Sequence, residues 1–547
     1  MTVIADGGGG GCPCCTGGIG RRRLLGLMGG ALLLPTLPGD APAAESATPR
    51  LSPVLATLFD RLHAERAAGT ADPAVQLDRL RGVPAAGLGP QDRLDLAHVL
   101  DAVGREVALR RVWPHGAPAN RPSPYTVSPQ AGTWRNAAAL AKGGGADTTL
   151  AATLAATLDG ETERLQAEAA AGVVLPAPIL AALIDRMASL SLSLPGPAGT
   201  ALDRQRTVLA GMVPRAPAAP GLHHLPGGGD GYAAMLSVAA TVDITPDQAH
   251  ALARDLADRF TAEAEPLFRR LGLAGGTSGE RFRRLAQQPD QALAEDEGGR
   301  AAAVAAMNAH LTALRPRLPA VFGRMTRAPI TIRALTTAEL AAGRQGFRQD
   351  PGFGADRPGG YVVDLSRMAE RPRFALPTMT DHETLPGHLI QAAWSEEAGL
   401  HPFRARFQSG AVLEGWSTYA QTLVVEMGVY DDDPAARLGY CQSVLFRAAR
   451  MLADTGLHAR GWSREQAIRT ITDLGGEPER VAAAEVDRMS VLPGFLTGHM
   501  VGYAQMLRLR DRAQAAQGTR FSLARFHDAV LSPGPLPFAV LDQQVPT

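Results

Sequence analysis

A chain of 547 residues, 45% hydrophobic and 20% charged, has globular composition and the length of one large two-lobed body or of two to four domains. Its 54 basic and 54 acidic side chains cancel, which excludes a broad electrostatic footprint for nucleic acid or for an anionic membrane surface. The basic residues are arginines apart from Lys142, a bias that reads as coding composition before it reads as function.

Residues 1–45 read as an export signal separate from the fold. Arg21 to Arg23 precede a short apolar run, and small residues follow around Ala41-Pro42-Ala43. The run is too short for a durable membrane span. Paired arginines before a Gly-containing apolar run match a twin-arginine signal, with a Sec leader or an uncleaved anchor as the alternatives. The twin-arginine route exports folded protein and suits one that acquires a cofactor first. The expected location is the periplasm or another exported compartment, with no stable membrane span after cleavage. Cys12, Cys14 and Cys15 precede the apolar run and are assigned to the leader, with metal binding as the weaker alternative. Cleavage leaves Cys441, which has no disulfide partner and sits in the apolar helical pattern "LGYCQSVLFRAARML" as a buried inert thiol.

From Leu51 to Leu314 the pattern is mostly helical. "VLATLFDRLHAERAAG" places Val54, Leu55, Leu58, Phe59 and Leu62 on one face. Thr245 is a plausible N-cap, with Pro246 at the first helical position. Gly/Pro-rich breaks near 114–124, 143–146, 195–199 and 214–229 mark loops or lobe joints. The predicted division is a helical N-terminal lobe over 46–235 and a catalytic lobe over 236–547. Two stretches alternate like strands, "APITIRAL" (Ala328 to Leu335) and "GGYVVDLS" (Gly359 to Ser366), and predict a small sheet ahead of the next helix. After Thr380 the chain is again mostly helical, so the fold class is mainly α with one minor sheet.

That next helix carries the chemistry. "TDHETLPGHLIQAAW" opens like the zinc-binding H-E-x-x-H motif, but His388 is six residues from His382 instead of four. On an unbroken helix six residues turn the side chain by about 120°, so the two imidazoles cannot face one metal. Pro386-Gly387 supplies the bend that brings His388 back. Glu414 lies beside the apolar face of "AVLEGWSTYAQTLVVEMG", where a carboxylate is costly unless paired or metal-bound. Two imidazoles and a carboxylate suit Zn2+. Glu383, directly after a ligand, is then the general base that takes a proton from water.

The segments "DHETLPGHLIQ", "LEGWSTYAQ", "LFRAARMLADTGLHARGWSREQAI", "LPGFLTGHMVGYAQMLRLR" and "FHDAVLSPGPLPFAVL" resemble, in order, the bacterial domain-of-unknown-function 885 family. That family is placed among zincin-like metallopeptidases with an H-E-x-x-P-G-H motif. The resemblance implies a large helical zincin-like fold with two lobes around a deep cleft and the sheet beside the metal-binding helix. It implies His382, His388 and Glu414 as zinc ligands and Glu383 as base. It also picks out Arg447, Arg450, Asp454 and His458. The residues themselves agree in part: Arg447, Arg450 and Asp454 share one helix face, where they anchor a substrate carboxylate or form an internal salt-bridge ladder. Asp454 is expected to orient a histidine or pair an arginine, and His458 to donate to an oxyanion or support a ligand. The chain departs from the family pattern at Leu389, where a second histidine is usual, and at Met489, Phe495 and His499, the last replacing a tyrosine. His499 is retained as a hydrogen-bond donor and Tyr503, one turn on, as a substitute on the substrate side.

The expected function is an exported zinc-dependent hydrolase, a peptidase of short peptides or related amides. The alternatives are a non-catalytic zinc- or ligand-binding scaffold, and a zinc hydrolase or lyase acting on a non-peptide substrate.

Overall fold

The computed structural model describes residues 51–114, 122–137, 148–194 and 196–545. The expected export signal and its three cysteines lie outside these residues. The described chain is mainly helical with one three-stranded sheet, as the periodicity predicts. The elements that build the site are helices α1 (Pro90–Val112), α2 (Gly228–Ala240), α3 (Pro246–Arg270) and α4 (Glu297–Leu314), then strands β1 (Ile330–Ala334), β2 (Phe347–Gln349) and β3 (Gly359–Val363). Helices α5 (Leu376–Glu383), α6 (His388–Glu397), α7 (Gly410–Glu426), α8 (Pro434–Ala459), α9 (Glu479–Met489) and α10 (Phe495–Gln517) follow. Helix α3 starts where expected. Thr245 Oγ1 accepts from the Gln248 N–H and the Gln248 side chain accepts from the Thr245 N–H, a reciprocal cap, with Pro246 as first helical residue.

The sheet order is β1-β3-β2, with β1 parallel and β2 antiparallel to β3. The two alternating stretches form β1 and β3. Strand β2 has three residues, too few to show an alternation in the sequence. All five residues of β3 are buried, the pattern of a strand covered on both faces.

One apolar core runs from Leu109 to Val545 and includes Tyr232, Leu236, Phe260, Trp416, Leu445 and Met500. The boundary expected between residues 235 and 236 falls inside α2, whose Tyr232, Met235 and Leu236 are wholly buried in that core. Residues on both sides of 235 therefore pack in the same core. A smaller core joins the N-terminal helices, through Leu55, Phe59, Leu80 and Val99, to Phe403 and Phe407 beyond α6. Arg404 is buried beside it against Asp95 and His98. Cys441 is a buried free thiol, as expected. Among the described residues no helix is long and apolar enough to cross a membrane.

Candidate metal centre

Helix α5 ends at Glu383, and α6 begins at His388. The expectation of one bent helix becomes two helices joined by Thr384-Leu385-Pro386-Gly387, with a cis Leu385–Pro386 bond. Gly387 folds back so that its N–H donates to the Asp381 carbonyl at 2.9 Å. A Cβ there would meet the His382 carbonyl oxygen at 2.0 Å, so glycine is required for clearance; its φ is an ordinary −76°. Trp416 of α7 pins the joint, its Nε1 donating to the Pro386 carbonyl at 3.1 Å. The result is a close pair of imidazoles, His382 and His388, 4.9 Å between ring centres and nearly perpendicular.

Glu414 reaches the pair from α7. Its Oε2 lies 3.3 Å from His382 Nε2 and its Oε1 3.5 Å from His388 Nε2. One ligand atom from each residue falls within 4.8 Å of the others. Exposure is 2%, 5% and 4% for His382, His388 and Glu414. Yet His388 Nε2 and Glu414 Oε2 complete no hydrogen bond. Burial, then the Arg447 guanidinium, brings the His382 pKa down to about 4; burial, then Arg348, does the same for His388. Burial opposes ionisation of Glu414, but the surrounding imidazoles outweigh it and hold the carboxyl well below its usual range. Two neutral imidazoles and a carboxylate are the protonation states that ligate a divalent ion. Three converging, buried donor atoms, two of them without a hydrogen-bond partner among the described residues, fit such an ion.

Glu383, 1% exposed, is adjacent, and its Oε2 accepts from Arg348 Nη1 of β2 at 2.9 Å. Sequence reading missed Arg348 because it lies on a short strand 35 residues away. Asp381, also buried, accepts from His310 Nε2 of α4 at 2.7 Å and from the Tyr430 hydroxyl, which ties the α5 backbone to its neighbours.

His499 of α10 approaches Glu414 Oε2 at 4.0 Å. It stands outside the three-residue ligand cluster, and among the described residues neither ring nitrogen finds a hydrogen-bond partner. Its place is set by a glycine contact between helices, where a Cβ on Gly502 of α10 would meet the Ala411 carbonyl of α7 at 2.0 Å. Arg447 of α8 lies against the centre, its Nη2 3.2 Å from His382 Nε2 and its Nη1 donating to Ser443.

The remaining expectations are corrected by geometry. Arg450 donates to Glu485 of α9 at 3.1 Å, and Arg488 lies 3.8 Å from the same carboxylate, so Arg450 takes its acidic partner from a neighbouring helix. Asp454 lies beside a histidine, its Oδ1 3.6 Å from His458 Nε2, and not beside the three cluster residues. Its carboxylate accepts from Tyr232 Oη, Thr497 Oγ1 and the Gly494 N–H, and so caps the start of α10. His458 is eleven residues beyond Arg447 on a continuous helix, about 16 Å along the axis at 1.5 Å per residue. Its Nδ1 accepts from the Leu222 N–H and its Nε2–H donates to the Met489 carbonyl, leaving no donor for an oxyanion. The Tyr503 hydroxyl is engaged by Thr422, eight residues and about 12 Å along α7 from Glu414.

Solved structures that share this fold include two proteins. Both are described as a "putative lipoprotein", one from Colwellia psychrerythraea and one, of unknown function, from Shewanella oneidensis. The first is 22% identical with a TM-score of 0.74, covering 90% of this chain and 98% of that one. The second is 17% identical with a TM-score of 0.61, covering 90% and 96%. No curated protein matches the chain. The family model of a bacterial protein of unknown function, DUF885, matches residues 55–545, and the chain belongs to that family.

Proposed function

We propose that the protein is an exported zinc-dependent hydrolase acting on short peptides or related amides, with a zincin-like two-lobed body around the metal centre. The observation that carries the reading is the convergence of His382, His388 and Glu414 in a buried site, with His388 Nε2 and Glu414 Oε2 unpartnered among the described residues and Glu383 directly after the first ligand. His382, His388 and Glu414 would hold the ion, and when bound it supplies Lewis-acid activation of water and of a carbonyl. Glu383 takes a proton from the attacking water and returns it to the leaving nitrogen. Arg447, against His382, adds positive charge where the carbonyl oxygen becomes anionic. Burial of these groups excludes bulk water and strengthens each interaction. Export rests on the leader sequence and on the lipoprotein descriptions of the two structural neighbours.

The test is Glu383→Gln in zinc-loaded protein assayed on a short-peptide library. Metal content should be unchanged and turnover lost, a drop of at least about 100-fold for a general base; a variant as active as wild type ends the assignment. A second reading, a closed structural zinc site, is favoured by His499, whose free ring nitrogens lie one small shift from Glu414. Four protein ligands in the metal's absorption-edge spectrum would favour it.

A further inference from the structure

Arg348 and Tyr361 are paired residues of neighbouring strands. Arg348 of β2 stands directly opposite Tyr361 of β3 in an antiparallel ladder. Opposed residues of such a pair project from the same face, with Cβ atoms about 5 Å apart. That face is the one from which Arg348 reaches Glu383, at 2.9 Å.

Among the described residues neither side chain is fully satisfied. A guanidinium has five N–H donors. Arg348 gives one to Glu383, and among the described residues its other donors have no acceptor. It keeps 21% of its side chain open to solvent, whereas Glu383 beside it keeps 1%. Tyr361 is wholly buried, and its hydroxyl has no partner among the described residues. An unpaired buried hydroxyl costs about 1–3 kcal/mol, so phenylalanine would serve a purely structural role better.

We infer that Arg348 and Tyr361 form the subsite for a substrate carboxylate, and that Glu383 occupies the arginine until that carboxylate arrives. An arriving carboxylate takes the free edge of the Arg348 fork and a hydrogen bond from the Tyr361 hydroxyl. Glu383 is then released toward water. One carboxylate replaces another on the same cation, so the exchange is close to balanced and needs no rearrangement of the fold. The substrate class is a short peptide or acyl amino acid with a free carboxylate near the bond that breaks. What the carboxylate belongs to rests on the hydrolase reading; the subsite itself does not.

The experiment is calorimetric binding of N-acetylglycine, with N-acetylglycinamide as its uncharged counterpart, to the mature protein stripped of metal, so that neither hydrolysis nor the ion contributes. Glu383→Ala, with Glu383→Gln as a second variant, removes the competing carboxylate. Both should bind the acid about tenfold or more tighter than wild type, since a hydrogen bond to a charged group is worth about 1.5–3 kcal/mol. The amide should show no such gain. Adding Arg348→Gln should abolish acid binding, and adding Tyr361→Phe should weaken it several-fold while leaving the melting temperature equal or higher. Equal binding of acid and amide, or no gain on removing Glu383, overturns the inference. Absence of peptide hydrolysis by the zinc-loaded wild type, with these binding results intact, would instead count against the hydrolase reading.

Discussion

Gly387→Ala adds one methyl group to a 547-residue protein and should disable the metal centre. The added Cβ would lie 2.0 Å from the His382 carbonyl oxygen and 2.4 Å from that of Asp381. Contacts of this kind do not fall below 3.0 Å, so the last turn of α5 and the start of α6 must separate by about 1 Å. Both clashing atoms are backbone, and Trp416 holds the same joint from α7, so the strain cannot drain into a flexible side chain. Metal–ligand distances tolerate about ±0.2 Å. A shift of about 1 Å therefore removes His388 from the coordination sphere, and zinc affinity should fall by at least the 10–100-fold typical of lost ligand support. Overpacking adds about 1–3 kcal/mol of destabilisation. The assay is competitive zinc titration against a chromophoric chelator, with thermal melting alongside. Gly104→Ala in α1 is the control: nothing lies within 4 Å of its added Cβ, and it should gain up to about 1 kcal/mol of helix propensity without touching zinc. Wild-type zinc affinity in Gly387→Ala would refute the account of how the six-residue spacing builds the site.

His458→Leu leaves the Leu222 N–H and the Met489 carbonyl without partners, so it should cost about 1–3 kcal/mol in stability, read as a lower melting temperature, while zinc content stays at wild type. Tyr503→Phe should cost about 1 kcal/mol through the lost bond to Thr422 and leave kcat and KM unchanged; a change in KM alone would restore it to the substrate side. Burial holds His382, His388 and His458 to about 4, and His98 and His527 to about 3. Each is neutral when folded and protonated when unfolded below about 6.5, so its contribution is full above that pH and is lost as pH falls toward 4. Asp454, raised to about 6 by burial, and Glu168 and Glu477, raised to about 7 by burial, act oppositely, their contribution being lost as pH rises. The five histidines outweigh the three carboxylates, so the melting temperature of metal-stripped protein should decline from pH 6.5 to 4; a flat or rising profile would contradict the burial of these rings as neutral groups.

The sequence carried the ligand cluster because its parts are close in the chain and chemically unusual: two histidines around a Pro-Gly break, and a carboxylate on an otherwise apolar helix. The helix break itself was readable, though not that two helices would replace one bent one, since that depends on the Gly387 N–H finding the Asp381 carbonyl. Arg348 and Tyr361 were invisible because pairing across a sheet joins positions that no periodicity connects. His458 and Asp454 were misplaced for another reason. Sharing a helix face with Arg447 shows direction, not depth, and eleven residues of helix carry a side chain about 16 Å from where its neighbour works. A Gly/Pro-rich loop followed by a helix looks the same in sequence whether that helix starts a new core or extends an old one; the buried Tyr232, Met235 and Leu236 put the residues on both sides of 235 in the same core.

The account turns on whether these three residues hold a metal ion. Elemental analysis of the purified mature protein beside His388→Ala decides it. About one zinc per chain in wild type and none in the variant is the predicted result. Zinc absent from wild type, or retained without His388, would contradict the metal centre and the hydrolase reading with it.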